Sequence, residues 1–307
     1  MMKNRIFRYL LFAVILVSAD QVVGTVISKL AKLQTADDRI GKLTNGEIIT
    51  DIAILGSSRA LNNYSPEVIS KVTGLKCYNF GVSGSDILFH ETVLDLILSQ
   101  PHKPKIIIYN LDDRGIFFTF DGIVYRKDVL YPFVDNAIVN KNVCQQLHKW
   151  TFATYLSKTY RQNVNFINSM KYLVYGKELP DYKTTNFNSF GANLLEQRAG
   201  DPIPAFLHPN YDLSVLIPDS AYLQSFQRIQ EKCKLNNIKL ILSLPPLYAD
   251  NTPGFKELIL SKKFNEVEFW DFTSYMQDSS NFFNPDHMNR KGAEIFSGMV
   301  ANKIKTH

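Results

Sequence analysis

The chain alternates between short, continuous apolar runs and longer stretches whose apolar residues recur at helical spacing. Apolar runs without polar alternation are typical of strands that are buried on both faces of a sheet. Strands that alternate with amphipathic helices predict a parallel sheet covered by helices. We therefore expect an α/β fold, a three-layer α/β/α sandwich around a five-stranded parallel sheet. The predicted strands are Ile52–Leu55, Cys77–Phe80, Lys105–Tyr109, Ile238–Ser243 and Val267–Asp271, and the main predicted helices are Glu67–Val72, the stretch after Asp86, Asp219–Asn236, Phe255–Lys262 and Lys291–Lys305.

Residues 1–30 carry the pattern of an export signal. Lys3, Arg5 and Arg8 precede an apolar run at 9–17, and apolar residues resume at 22–30. A positive flank before an apolar core predicts a cytoplasmic N-terminus and a body outside the cytoplasm, in the bacterial periplasm. The pattern favours a single-pass membrane anchor from about residue 7 to residue 27. The alternative is a signal peptide cleaved near Ala19, which would release a secreted protein.

The remaining chain divides by composition. Residues 31–50 are polar and mixed, which predicts a linker, and residues 51–307 form the predicted main domain. Residues from about 115 to 218 interrupt the strand–helix rhythm, are rich in Phe, Tyr and Asn, and include a helical patch at Asn142–Leu156. We expect this aromatic-rich insertion to pack over the carboxyl edge of the sheet. Its aromatic residues either stack on sugar rings or fill a core of the insertion's own.

Charge and cysteine content narrow the function classes. The 307 residues carry a formal net charge of +5, but the basic residues are scattered and form no run that would track a phosphate backbone. The sequence therefore predicts no nucleic-acid partner. Cys77, Cys144 and Cys233 lie far apart, so their spacing suggests no metal site. Cys77 borders an apolar strand and Cys233 lies in a helical pattern, which predicts buried free thiols, although one disulfide among the three stays open. We expect no cofactor.

Polar residues cluster where the predicted strands end. Ligands of a parallel sheet bind at the carboxyl ends of its strands, so these clusters are expected to meet. A nucleophilic serine needs a base within hydrogen-bond reach and donors for the oxyanion. Reading the glycine turn at 81–84 as a phosphate loop is weak, because it lacks the lysine and the glycine spacing of such loops. The four clusters are Gly56-Ser57-Ser58, Gly81–Gly84, Leu111–Asp113 and Asn284–Asn289.

In this order the clusters resemble the blocks of the SGNH (GDSL-like) hydrolase superfamily, which has a flavodoxin-like three-layer fold and acts on esters. The resemblance covers about 51–114 and 220–305 and leaves the insertion unmatched. It implies that Ser58 is the nucleophile, with Ser57 as spacer. It also implies that Gly84 supplies an oxyanion N–H and that His287 is the base, in the segment Phe282–Ala293.

Two positions depart from the family pattern. The third block of the family supplies an Asn to the oxyanion hole, and here that position is Asp112. The fourth block places an Asp three residues before the histidine, and here that residue is Asn284. An amide can orient an imidazole but stabilises an imidazolium poorly. Asp286, the neighbour of His287, is the other candidate for this role.

A membrane segment combined with Gly-Ser-Ser resembles envelope proteins of the superfamily that work in D-alanyl transfer to teichoic acids or in acetylation of exported polysaccharides. The resemblance implies an exported serine esterase or O-acyltransferase that acts on acyl groups of an envelope glycan, beside a membrane-bound acyltransferase. The alternative is a catalytically weak scaffold or glycan-binding subunit of such a complex, which Asn284 and Asp112 motivate.

Overall fold

The computed structural model describes residues 2–35, 37–112, 116–175, 187–196, 218–248, 267–276 and 278–306. Its strands are β1 (Ile52–Leu55), β2 (Cys77–Asn79), β3 (Ile106–Asn110), β4 (Lys239–Leu244), β5 (Glu268–Asp271), β6 (Phe282–Asn284) and β7 (His287–Met288). Its helices are α1 (Met2–Gln34), α2 (Arg39–Thr44), α3 (Ser58–Asn63), α4 (Pro66–Thr73), α5 (Ile87–Leu98), α6 (Lys127–Leu130), α7 (Ala137–Gln146), α8 (Thr151–Leu156), α9 (Lys158–Arg161), α10 (Asn163–Tyr175), α11 (Ser220–Leu235) and α12 (Arg290–Thr306), with 3-10 turns at Tyr131–Phe133 and Ser279–Asn281.

The predicted fold class is confirmed. The described strands form a five-stranded sheet in the order β2-β1-β3-β4-β5, and every pairing in it is parallel. Alternate residues of the central strands face opposite helix layers, which explains why the strand sequences show no polar alternation. Ile54 and Ile108 lie in a core cluster with Phe296 of α12, whereas Tyr109 packs its ring against Phe226 of α11.

Local sequence signals place several helix ends. The side chain of Asp86 accepts a hydrogen bond from Phe89 N–H at the start of α5, as expected of an N-cap. Gly74 ends α4 with a φ of +75°, a conformation in which glycine has no Cβ penalty. Asp219 caps α11 in the same way as Asp86 caps α5. The predicted helix Phe255–Lys262 lies outside the described residues.

The chain forms two compact units. The first comprises Met1–Asn45 and Lys127–Thr185, and the second comprises Gly46–Arg126 and Asn186–His307. The predicted helical patch at Asn142–Leu156 is two helices, α7 and α8, separated by a turn in which His148 has a positive φ of 51°. All three cysteines are free and buried, as predicted, and the disulfide left open by the sequence is not formed.

The N-terminal helix α1 is apolar over most of its length. The segment Asn4–Leu33 is long and apolar enough to cross a membrane, by length and composition. Length and composition fit a retained anchor and a signal peptide equally. Its last turns belong to the folded first unit, since Ile27 and Ala31 are buried there.

Candidate active site

The turn after β1 brings Ser58 to the carboxyl edge of the sheet. β1 lies between β2 and β3, and its four residues are all buried. Gly56 follows with a φ of +144°, and a Cβ at this position would lie 2.9 Å from the Cβ atoms of both Ala60 and Asn110. Only glycine fits this turn, both by conformation and by space. Ser57 precedes α3, and Ser58 opens the helix with its side chain partly exposed to solvent.

Ser58, His287 and Asn284 form a continuous hydrogen-bonded chain. His287 Nε2 lies 2.8 Å from Ser58 Oγ, although the two residues are 229 positions apart in sequence. On the other side of the ring, His287 Nδ1 lies 3.0 Å from Asn284 Oδ1. Both distances are within the range of a good hydrogen bond. The structure thus brings together three residues that the sequence singled out.

The contacts of Asn284 define which ring nitrogen of His287 carries the proton. Asn284 Oδ1 also accepts hydrogen bonds from the backbone N–H groups of Asp286 (3.0 Å) and His287 (2.9 Å). Two N–H donors require the amide oxygen at this position, so the amide cannot be flipped. An oxygen facing Nδ1 requires Nδ1 to be the donor, which leaves Nε2 with a free lone pair toward Ser58. The imidazole is therefore in the tautomer that a general base needs.

The loop that carries His287 is held by the elements on either side of it. β6 and β7 form a short antiparallel pair in which Asn284 and His287 are register partners. The N–H of Met288 donates to the side-chain oxygen of Asn63, at the end of α3, over 2.9 Å. This bond links the strand of His287 to the helix that Ser58 opens. The position of His287 relative to Ser58 is therefore determined by these contacts.

Arg59 joins the two aspartates of the site. Its Nε lies 3.3 Å from Asp112 Oδ1 and its Nη2 lies 3.1 Å from Asp286 Oδ1, while its side chain is only 5% exposed. A buried guanidinium paired with carboxylates costs much less free energy than either charge buried without its partner. At Asp112, where the resemblance noted above predicts an oxyanion donor, the structure places the carboxylate against the guanidinium of Arg59. Asp286 is likewise engaged by Arg59.

Gly84 lies in the turn after β2, one strand away from Ser58. The turn runs beside the nucleophile turn, since Val82 N–H donates to the carbonyl of Gly56 over 3.1 Å. Gly84 has a φ of +68°, and its carbonyl accepts from Val124 N–H over 2.9 Å. The glycine conformation and these two bonds hold the turn against the carboxyl edge, where the sequence predicted it.

A second serine–histidine pair lies behind the site and differs from the first in its protonation. His90 Nε2 lies 2.7 Å from Ser85 Oγ, and His90 Nδ1 lies 2.8 Å from the hydroxyl of Tyr109. The hydroxyl of Ser85 already donates to the carbonyl of Val82 over 2.6 Å, so it accepts from Nε2–H. Nδ1 of His90 then accepts the hydrogen bond from the Tyr109 hydroxyl, and Nε2, which carries the ring proton, has no lone pair for Ser85.

Burial also removes this second pair from acid–base chemistry. Burial in the protein interior lowers the pKa of His90 to about 3, a shift that a backbone hydrogen bond at Gly56 only partly opposes. Burial raises the pKa of Tyr109 well above its ordinary value of 10, and the nearby carboxylate of Asp112 adds to the shift. Ser85 and His90 therefore form a neutral structural network under the Gly56 turn. Ser58 and His287, by contrast, are partly exposed.

The chemistry available to the site is that of an activated hydroxyl. A serine whose O–H faces the lone pair of a correctly oriented imidazole can attack a carbonyl carbon and lose its proton in the same step. Among the described residues, no group of three His, Cys, Asp or Glu side chains is placed to hold a metal ion.

Sequence reasoning missed Arg59, which directly follows Ser58. The available signal was a pair of aspartates on strand-end loops, Asp112 and Asp286, with no cation assigned to them. Buried carboxylates need a partner, so a search for the nearest basic residue to the nucleophile would have found Arg59.

Comparisons with known proteins give fold-level matches only. No protein-family model and no curated protein sequence matches the chain. Among solved structures, it is similar to a candidate lipolytic protein of the G-D-S-L family from Desulfitobacterium hafniense DCB-2, with 13% identity over 82% of this chain and 98% of the other and a TM-score of 0.40. It is also similar to a candidate acylhydrolase from Bacteroides fragilis NCTC 9343, with 14% identity over 89% of this chain and 97% of the other and a TM-score of 0.39.

Proposed function

We propose that the protein is a serine esterase or O-acyltransferase. The observation that carries the proposal is the chain from Ser58 Oγ through His287 to Asn284 Oδ1, in which the donors of the loop impose the tautomer with Nε2 as base. In the buried Ser85–His90 pair the hydrogen bonds run the other way, so proximity of a serine and a histidine alone would not support the proposal.

The proposed reaction proceeds through an acyl-enzyme. Ser58 Oγ attacks the carbonyl carbon of an ester while its proton passes to His287 Nε2. The tetrahedral intermediate collapses, the ester C–O bond breaks, and the imidazolium returns the proton to the leaving alcohol oxygen. Water or an acceptor hydroxyl then attacks the acyl-Ser58 ester, again giving its proton to Nε2, and Ser58 is regenerated. Water as acceptor makes an esterase, and a glycan hydroxyl makes a transferase.

The oxyanion donors in this proposal are backbone groups. The N–H groups of Ser58 and Gly84 lie on adjacent strand-end turns, and such preorganised donors are typically the largest electrostatic contribution to acyl transfer. Asp112 has a different role in this scheme, because it neutralises the buried charge of Arg59. The departure from the family's Asn at this position therefore removes a donor and adds an ion pair.

The proposed substrate is an acyl group on an envelope glycan, and the proposed location is the membrane. α1 supports a single-pass anchor with its N-terminus in the cytoplasm and the catalytic residues outside, since Lys3, Arg5 and Arg8 precede the apolar segment. An enzyme held there would meet acylated polysaccharide during export and could take acyl groups from a membrane-bound acyltransferase.

A second candidate function is a glycan-binding or scaffold subunit of low activity. Asn284 favours it, because an amide oxygen at Nδ1 orients the ring without a full negative charge to stabilise the imidazolium. The two candidates differ in whether cells need the Ser58 hydroxyl or only the folded chain.

Hydrolysis of p-nitrophenyl acetate and release of acetate from acetylated polysaccharide test the proposal on the full chain in detergent. We expect Ser58→Ala to abolish both activities. We expect Ser57→Ala to retain them, since the Ser57 side chain makes no capping hydrogen bond to α3. Absence of turnover by the wild type on both substrates, or equal turnover by Ser58→Ala, would contradict the enzyme proposal. Full function of Ser58→Ala in cells would support the scaffold.

A further inference from the structure

The first unit, described by itself, combines α1 with helices that expose several large apolar side chains beside polar ones such as Asn163 and Asn168. Among its described residues, large apolar side chains on α8 and α10 and beside them are 41% to 70% exposed. A soluble surface carries such residues singly, whereas a group of them marks an interaction site. The group, which we call the aromatic face, comprises Trp150, Phe152, Tyr155, Leu156, Tyr160, Phe166, Ile167 and Met170.

The helices of the aromatic face contact α1 at a defined level. Asp20 of α1 caps α9: Ser157 Oγ donates to its carboxylate over 2.6 Å and Lys158 N–H over 2.7 Å. Thr159 adds a backbone N–H bond to the carboxylate over 3.2 Å. One turn along α1, a Cβ at Gly24 would lie 2.7 Å from the side chain of Lys158, so the two helices pack closely.

The length of α1 places this contact inside a membrane boundary. In the described chain, the apolar run Tyr9–Val17 is exposed but spans only about 14 Å at about 1.5 Å per residue, short of a hydrocarbon core of about 30 Å. A spanning segment must therefore reach the exposed residues Val22, Val23 and Val26, which extend it to about 27 Å. Asp20 and Gly24 lie in the outer half of this segment, so α9 meets α1 within about 9 Å of its outer end.

The residue types near the contact between α1 and α9 are those expected at a lipid surface. Trp and Tyr are enriched where hydrocarbon meets headgroups, and the aromatic face carries Trp150, Tyr155 and Tyr160. A carboxylate at this depth is tolerated when donors surround it, as they do Asp20. From Ala137 to Lys171 the sequence has five Lys or Arg residues and no Asp or Glu. Such a charge bias favours anionic headgroups.

We infer that α8, α9 and α10 lie in the membrane interface around α1, with the aromatic face seated in the lipid of the outer side of the bilayer. The inference rests on the proposed membrane location and goes beyond it: the chain has a broad monotopic surface in addition to one spanning helix. Such a surface fixes the orientation of the first unit on the membrane, which a single helix does not do.

Site-specific fluorescence tests whether the aromatic face lies in the lipid. Because the native cysteines are buried, an introduced cysteine can be labelled selectively with an environment-sensitive nitrobenzoxadiazole dye. Labels are placed at Tyr155→Cys and Ile167→Cys in the full chain, reconstituted in vesicles of phosphatidylcholine and phosphatidylglycerol. Phe12→Cys on the exposed part of α1 is the lipid control, and Gln145→Cys on the polar exposed side of α7 is the water control.

We expect lipids that carry a nitroxide on the acyl chain to quench most of the fluorescence of the labels at Tyr155 and Ile167, as they quench the label at Phe12. Aqueous iodide should quench only the label at Gln145. Iodide quenching at Tyr155 and Ile167 would overturn the inference, and so would protection from both quenchers, which would indicate a protein partner or a second copy. The same measurements on Ser58→Ala separate this result from the proposed catalysis, because lipid contact does not need the hydroxyl.

Discussion

Replacing Asn284 by Asp places a carboxylate beside the imidazole of His287, the proposed base, and we expect it to raise turnover. The amide oxygen accepts from His287 Nδ1 over 3.0 Å and from two backbone N–H groups. A carboxylate oxygen can accept the same three bonds without movement. Repulsion from Asp286 is limited, because Arg59 already pairs with it at 3.1 Å. The substitution therefore changes the charge of the site and leaves its geometry intact.

The size of the effect follows from what the amide already supplies. In a Ser-His-Asp protease, the change of the Asp to Asn costs about 10⁴ in turnover, largely because the histidine takes the wrong tautomer. Here the backbone donors hold the correct tautomer, so that part of the cost is absent. What remains is the difference between a neutral hydrogen bond and a charge-assisted one to the imidazolium, about 1 to 1.5 kcal/mol. At about 1.36 kcal/mol per tenfold, we expect a gain of about five- to tenfold in kcat.

The assay is steady-state hydrolysis of p-nitrophenyl acetate by wild type, Asn284→Asp and Asn284→Ala. The Ala variant controls for orientation, and we expect it to fall below wild type because the ring loses its tautomer-setting acceptor. The carboxylate should also favour the imidazolium form, so the acid limb of the pH profile should move to higher pH. A folded Asn284→Asp protein with unchanged or lower kcat at every pH would refute the reasoning that imidazolium stabilisation limits the rate.

Three further predictions concern residues around the site. Arg59→Met leaves two largely buried carboxylates without their cation and should lower the free energy of unfolding in urea by about 3 kcal/mol; a change below about 0.5 kcal/mol would contradict the ion-pair account. Gly292→Ala places a Cβ against the carbonyl oxygen of Asn281 and should lower the free energy of unfolding by about 2 kcal/mol. In Gly298→Ala, in the same helix, the added Cβ meets nothing within 4 Å, so this variant should raise the free energy of unfolding by up to about 1 kcal/mol. Equal effects of the two variants in thermal unfolding would refute the packing argument. The pKa of His90 is lowered from 6.5 to about 3, so as the pH falls the unfolded state takes up the His90 proton before the folded state does. The stability that neutral His90 contributes is therefore complete above pH 6.5 and is lost as the pH falls toward 3, at up to about 1.4 kcal/mol per pH unit. The unfolding free energies of wild type and His90→Gln, measured by urea titration, should differ by that slope, and parallel pH dependences would show that His90 is not buried in its neutral form.

Features that depend on neighbouring residues in sequence were predictable. The four apolar residues of β1 appear where the sequence predicted a strand, and the Asp86 cap of α5 and the end of α4 at Gly74 each depend on residues only a few positions apart. The order of the polar clusters also predicted that Ser58 and His287 would meet, but His287 lies on the antiparallel β6–β7 pair and not at the end of a strand of the parallel sheet.

Features that depend on distant contacts were not predictable from local pattern. Asn284 Oδ1 faces His287 Nδ1 because two backbone N–H groups of the loop hold the amide in place, and local sequence pattern does not predict the conformation of that loop. The pairing of Arg59 with Asp286 joins residues 227 positions apart. Similarly, the capping role of Asp20, a charged residue between two apolar runs of α1, depends on a contact with Ser157, 137 positions away.

The most direct test of the central claim is the covalent capture of Ser58. The full chain is incubated with a fluorophosphonate, and intact-mass and peptide mass spectrometry locate the adduct. The proposed base, His287 Nε2, lies 2.8 Å from Ser58 Oγ, so we predict a single phosphonyl group on Ser58, absent from Ser58→Ala and formed much more slowly in His287→Ala. An adduct on another serine, or an unmodified chain under conditions that label a control esterase, would contradict the assignment of Ser58 as nucleophile.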